Sequence, residues 1–152
     1  MTIIPYEKQL SAPFHKLLAD YFAELDSEIP EKIIREELTP FIEGQLHKRI
    51  IRAVLCEENS IPFGFAIYQI DSEKSDWCKR PGWGFIREFY IAPGFRHRGY
   101  GAALATHVEE DLKKLGASGL YLTSDTAVDF WAQCGYRNTH EICSNDLEIF
   151  TK

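Results

Sequence analysis

Arg96-His97-Arg98-Gly99-Tyr100-Gly101-Ala102 is the stretch whose reading decides the fold. It follows an apolar, strand-like run, Phe89-Tyr90-Ile91, and precedes an amphipathic helical pattern. A strand feeding a glycine-bearing turn at the mouth of a helix is a place to hold phosphate. The first N–H groups of a helix lack partners inside it, and the helix dipole adds partial positive charge there. Glycines let an anion approach the backbone, because no Cβ stands in the way. Two familiar phosphate motifs fail here. Gly94 to Gly99 has Walker A spacing, but Tyr100 stands where that pattern needs lysine. The dinucleotide fingerprint wants a third glycine three residues after Gly101, where Leu104 stands, and an N-terminal βαβ unit, whereas this turn lies past mid-chain.

Outward from the turn, element types alternate. After it, Leu104, Val108, Leu112 and Leu115 fall on one helical stripe, with Glu109–Lys113 and Glu110–Lys114 as i,i+4 pairs on the wet side and Gly116 as the stop. Gly119 to Thr123 reads as a strand. Ser124 or Asp125 can cap a short helix that buries Ala127, Phe130, Trp131 and Cys134 and ends at Gly135. The tail from Tyr136 to Phe150 holds two antiparallel strands, the last being Leu147 to Phe150. Before the turn, Phe85 to Ile91 is a strand, and Asp71 to Gly84 is a long polar loop carrying Trp77 and Trp83, which read equally as a pocket wall and as loop anchors. Phe63 to Ile70 and Ile50 to Cys56 pair as a hairpin around Glu57-Glu58-Asn59-Ser60. Leu10 to Leu25 has helical spacing. A second helix starts near Pro30, with Thr39-Pro40 predicted to interrupt it and a further helical turn through Leu46. Thr2 to Pro5 reads as a first strand. The pattern is α+β: a central mixed sheet with helices on its faces.

Composition sets bounds. The 152 residues fit a single domain spanning 1–152, with 45% hydrophobic and 13% aromatic residues, a globular rather than a disordered composition. A net charge of −6 argues against broad nucleic-acid or anionic-membrane binding. No apolar run is long enough to span a bilayer, and Met1 to Tyr6 has no signal-peptide pattern. The four cysteines, Cys56, Cys78, Cys134 and Cys143, form no Cys-x-x-Cys pair and read as reduced thiols of a cytoplasmic protein, with no metal site.

Arg96-His97-Arg98-Gly99-Tyr100-Gly101 resembles the Arg-x-x-Gly-x-Gly/Ala signature of the GNAT superfamily of N-acetyltransferases. Glu88-Phe89-Tyr90-Ile91-Ala92-Pro93 is similar to that family's central strand and its closing proline. Phe130-Trp131-Ala132-Gln133-Cys134-Gly135-Tyr136 is similar to its later aromatic motif. The resemblance implies a GNAT-like, mostly antiparallel sheet, splayed between the strand at 85–91 and that at 119–123. It also implies acetyl-CoA (coenzyme A) as cosubstrate. The cofactor would lie against Phe89, Tyr90 and Ile91, with the pyrophosphate on the turn of Arg96, His97, Arg98, Gly99, Tyr100, Gly101 and Ala102, and with Ser124 and Trp131 nearby. His97 reads first as a turn residue. The acetyl carbonyl would be polarised by the N–H of Tyr90 or Ile91, and a primary amine would attack directly, with no acetyl-enzyme.

Glu88 reads equally as the general base and as a partner of Arg87 or Arg137. Trp131 stands where many family members carry a tyrosine acid, and Ser124 where an asparagine is often found. An indole N–H cannot protonate a thiolate, so either Tyr90, Tyr121 or a water held by Ser124 substitutes, or the thiolate leaves unassisted. Trp131 reads first as a core residue. The acceptor would meet Asp26 to Glu31, Asp71 to Gly84 and His140 to Asn145. The expectation is an N-acetyltransferase acting on a primary amine of a small molecule or peptide, with a homodimer left open. The alternative is a non-catalytic acyl-CoA-binding sensor or regulatory module.

Overall fold

β1 (Thr2–Pro5) lies antiparallel on β2 (Arg52–Glu58), with Ile3 opposite Cys56 and Ile4 opposite Leu55. β-branched residues suit the pleat of such a pair. A two-residue turn, Asn59-Ser60, with both residues at positive φ (52° and 62°), returns the chain as β3 (Ile61–Ile70). β4 (Gly84–Ile91) follows, then β5 (Leu120–Ser124), β6 (Arg137–Ile142) and β7 (Glu148–Thr151). The seven strands form one sheet in the order β1-β2-β3-β4-β5-β7-β6. β4 and β5 are parallel, registered at Gly84↔Leu120 and Phe85↔Tyr121, while β5–β7 and β6–β7 are antiparallel. The fold is mixed α+β with a mostly antiparallel open sheet and helices. The computed structural model describes residues 1–26, 28–75 and 79–152, so Trp77 and Cys78 lie outside the described residues. Among those described, no helix is long and apolar enough to cross a membrane.

The residues gather into two compact units, Met1–Ile67 with Glu88–Leu104, and Tyr68–Arg87 with Ala105–Lys152. In the first, α1 (Ser11–Leu25) buries Phe14, Leu17, Leu18 and Phe22 in a cluster with Leu55, Phe65, Ile67 and Tyr90. α2 (Glu31–Ile33) continues through a π-helical turn, Ile34–Leu38, into α3 (Thr39–His47). The expected interruption at Thr39-Pro40 is therefore a widening rather than a break. Thr39 N–H bonds to Ile34 O, five residues back. Proline has no N–H to give and needs room at the carbonyl four residues earlier, and a wider turn just ahead of it provides that room.

In the second unit, α4 (Tyr100–Lys114, whose first residues lie in the first unit) buries Val108 and Leu112, and α5 (Val128–Gln133) buries Trp131. Two helix expectations need correction. Leu115 is exposed, at the end of the stripe. Glu109 is not on the wet side with Lys113 but buried at 4% exposure, where Lys152 Nζ donates to its Oε2 at 2.7 Å. The long loop after β3 is tied to Asp71, also buried. Gln69 Nε2 donates to it at 2.7 Å, Lys79 and Arg80 N–H at 3.3 and 3.4 Å, and so does the Tyr121 hydroxyl. Trp83 lies against Gly119, where a Cβ would meet its ring at 2.7 Å, so it anchors this loop.

Candidate active site

The turn after β4 is built on an aromatic floor. Phe95 stacks on Phe63 at 4.2 Å, and Tyr100 tilts against the same ring at 5.2 Å while its hydroxyl donates to Glu58 Oε1 at 2.8 Å. That bond is the first cause of a raised Tyr100 pKa. Between these anchors the chain turns with His97 at φ 61° and Gly99 at φ 80°. The left-handed region favours glycine, and a non-glycine residue held there marks a turn that its surroundings impose. His97 is thus a turn residue. A Cβ on Gly99 would meet nothing within 4 Å, so the backbone lies open, and residues 97–99 are exposed. Ala103 N–H donates to Gly99 O at 3.1 Å, which opens the helical ladder, and the amides of Tyr100 and Gly101 precede it at the helix's positive end. An exposed αL turn on a helix N-terminus, with no side chain in front of it, fits a pyrophosphate.

The two arginines differ. Arg98 lies over the Phe95 ring at 5.4 Å and is exposed. Arg96 is committed to the protein. Its Nε donates to Ile91 O at 2.7 Å, its Nη2 meets Glu24 at 2.7 Å, and its guanidinium covers the Tyr90 ring at 5.7 Å. It closes the end of β4 onto α1.

β4 alternates. Glu88 and Tyr90 share the face toward the apolar cluster that α1 fills. Tyr90 is buried, and burial first, then the charges of Glu24 and Asp20, raise its pKa. A phenol shifted that way donates its proton less readily. Glu88 is half-buried and accepts the hydroxyl of Tyr21, on α1. Burial, followed by the charge and hydrogen bond of Glu88, pushes Tyr21 well above the ordinary tyrosine range. Ala92 N–H donates to Phe63 O at 2.8 Å, so strand alternation turns the Ile91 N–H to the edge away from β3.

Ser124 and Trp131 belong to the second unit. Ser124 Oγ accepts the Ala127 N–H at 3.3 Å ahead of α5. Trp131 is 5% exposed, in edge contact with Phe130 and Tyr136, and is a core residue. Tyr121 is spent on Asp71. Among the described residues no group of three or more His, Cys, Asp and Glu could hold a metal ion. Cys56, Cys134 and Cys143 are free; burial pushes the Cys56 thiol up to about 12 and raises Cys134 as well.

Residues 12–136 match the acetyltransferase (GNAT) family. The chain belongs to it. As a GNAT member it is an acetyl-CoA-dependent acyltransferase. The fold is also that of the PaiA N-acetyltransferase of Thermoplasma acidophilum, solved in complex with coenzyme A, at 17% identity and a TM-score of 0.73 over 100% of this chain and 99% of that one. It is likewise that of an aminoglycoside 6'-N-acetyltransferase of Acinetobacter haemolyticus (14%, 0.74, over 93% and 94%). Tetrahymena GCN5 shares it too (12%, 0.69, over 99% and 94%). No curated protein sequence matches significantly.

The sequence reading singled out Glu88 but missed what holds it. Tyr21 was visible only as one apolar position on a helical stripe. Glu24, Glu58 and Phe63, which fasten the turn, lie 72, 42 and more than 30 residues from their partners. No local pattern links such pairs.

Proposed function

We propose that this GNAT member is an N-acetyltransferase that passes the acetyl group of acetyl-CoA to a primary amine of a small molecule or peptide by direct attack. The observation carrying this reading is the exposed turn at His97 to Gly99, opening onto α4 directly after the strand that bears Glu88. When bound, acetyl-CoA supplies a thioester carbonyl. Backbone N–H groups from Arg98 to Ala102 would hold its pyrophosphate, with the exposed Arg98 as the cation beside them. Arg96 acts by fixing the turn. The strand edge at Phe89 to Ile91 pairs with the pantetheine arm, as an added strand would. Of the two oxyanion donors the resemblance implies, the Ile91 N–H faces the right edge.

The amine must arrive neutral. Glu88 takes its proton as the nitrogen lone pair forms the new C–N bond and the C–S bond breaks. The sulfur leaves as the thiolate, and the proton taken up by Glu88 passes on to solvent. Neither Tyr121, donating to Asp71, nor Tyr90, with its raised pKa, is the acid in this scheme.

The test is thiol release from acetyl-CoA across a panel of primary amines, paired with melting curves. Amine-dependent release is expected. At about a hundred times its dissociation constant, acetyl-CoA should stabilise the fold by roughly 2.7 kcal/mol. Stabilisation without release for any amine would favour the sensor alternative, and neither effect would overturn both.

A further inference from the structure

We propose that Tyr21 is a positioning residue for Glu88: its hydroxyl grips the carboxylate and aims it at the acceptor amine. The inference rests on the acetyltransferase reading above and adds a residue to its machinery.

α1 turns one stripe of Phe14, Leu17, Leu18 and Phe22 into the apolar cluster. Tyr21 stands three residues after Leu18 and four after Leu17, at the border of that stripe. Its ring is wedged among aromatics, at 5.1 Å from Phe22, 5.6 Å from Phe65 and 5.8 Å from Tyr90, the last two edge-on. A phenol has only two side-chain torsions, and three ring neighbours fix both. What remains is an oxygen at a set point, and that point lies on Glu88 Oε2. Glutamate has three torsions, and a hydroxyl at a set point narrows the orientations its carboxylate samples. A carboxylate offers about four lone-pair sites, and the grip takes one of them.

A purely structural role would look different. Tyr21 already has its packing from three rings, and a phenylalanine would keep all of it. Only the oxygen is unexplained by packing, and it serves a carboxylate on the strand that bears the proposed oxyanion donor. Next to the pair, Tyr90 feels the charges of Asp20 and Glu24 on α1 and of Arg96 after β4, while β3 contributes Phe65 and Ile67, without charge. These surroundings are the same with or without the hydroxyl.

The test is Tyr21→Phe, read in two ways. In the free protein, carbon NMR of the glutamate carboxyls should show the Glu88 titration midpoint rising by about one pH unit, because the anion loses a donor. In turnover, the acid limb of the kcat/KM profile should move up by the same amount, and the pH-independent plateau should fall about tenfold. KM for acetyl-CoA should not change. In a Glu88→Gln background, Tyr21→Phe should cost nothing further. An unmoved Glu88 midpoint, or an equal loss from Tyr21→Phe in both backgrounds, would overturn the proposal. Absence of turnover in the parent protein would instead sink the acetyltransferase reading, and the midpoint would still judge Tyr21.

Discussion

Asp71 and Glu88 each accept a tyrosine hydroxyl, and they serve opposite ends. Asp71 is 2% exposed and takes the Tyr121 hydroxyl together with Gln69 and the backbone N–H groups of Lys79 and Arg80. Its lone pairs are filled by the protein, and it organises a loop. Glu88 is half-buried, midway along the strand that leads into the open turn, and its tyrosine comes from a packed helix. The hydrogen bond is the same; what differs is whether solvent reaches the group. A buried, saturated carboxylate is architecture, whereas a half-exposed one on the strand before the turn suits the base of the proposed scheme.

The comparison breaks most easily at Asp71. Asp71→Ala should cost about 3 kcal/mol of stability, because Tyr121 and two backbone donors lose their acceptor. Denaturant midpoints measure it, and a loss below about 1 kcal/mol would deny the network its structural role. Glu88→Gln should do the reverse, lowering the acetylation rate at neutral pH about a hundredfold while melting and coenzyme A binding stay put. An unchanged rate would remove Glu88 as base.

Gly99→Val forces a β-branched residue into the left-handed region at φ 80°, a strain of about 1–2 kcal/mol. The larger consequence should be loss of the melting shift that coenzyme A gives the parent. Equal shifts in both proteins would clear the turn of pyrophosphate binding.

Lys152→Ala leaves Glu109 buried without its ammonium, and we expect a loss of about 1.5 kcal/mol by chemical denaturation. Glu109→Gln in the same background should recover part of it.

The smallest effect concerns Glu43, whose Oε1 gathers Tyr6, Ser11 and His15 at 2.8, 2.7 and 2.8 Å. Burial pushes its pKa up, and these three partners outweigh it, so the folded value lies below the usual 4.5. The unfolded chain therefore binds this proton more readily. Glu43's contribution is complete above pH 4.5 and fades as pH falls through the lower folded value. The stability gap between parent and Glu43→Gln, less than about 1 kcal/mol for so exposed a cluster, should close below pH 4.5.

Legibility followed sequence distance. β1 at Thr2–Pro5 agrees with the sequence reading, and the other strands and helices lie within a few residues of it. Each is written locally, in alternation, helical spacing, or a terminating glycine such as Gly116 or Gly135, both at positive φ. Glu109 was misread because helical spacing puts it one step from the buried stripe, and its partner stands 43 residues away. Pro40 was misread as a stop because a widened turn is not written in residue type. In the site, Glu88 and the glycine turn were legible from their order. Tyr21, Glu24 and Glu58 were not, since each acts across 42 to 72 residues.

The strand order within the second unit has a consequence for synthesis. β7 sits between β5 and β6, although β6 precedes it in the chain. As the polypeptide leaves the ribosome, β6 emerges with no neighbour to dock on, and β5 keeps a bare edge until β7 slides in. The nascent protein thus carries two unpaired strand borders until Glu148–Thr151 arrives.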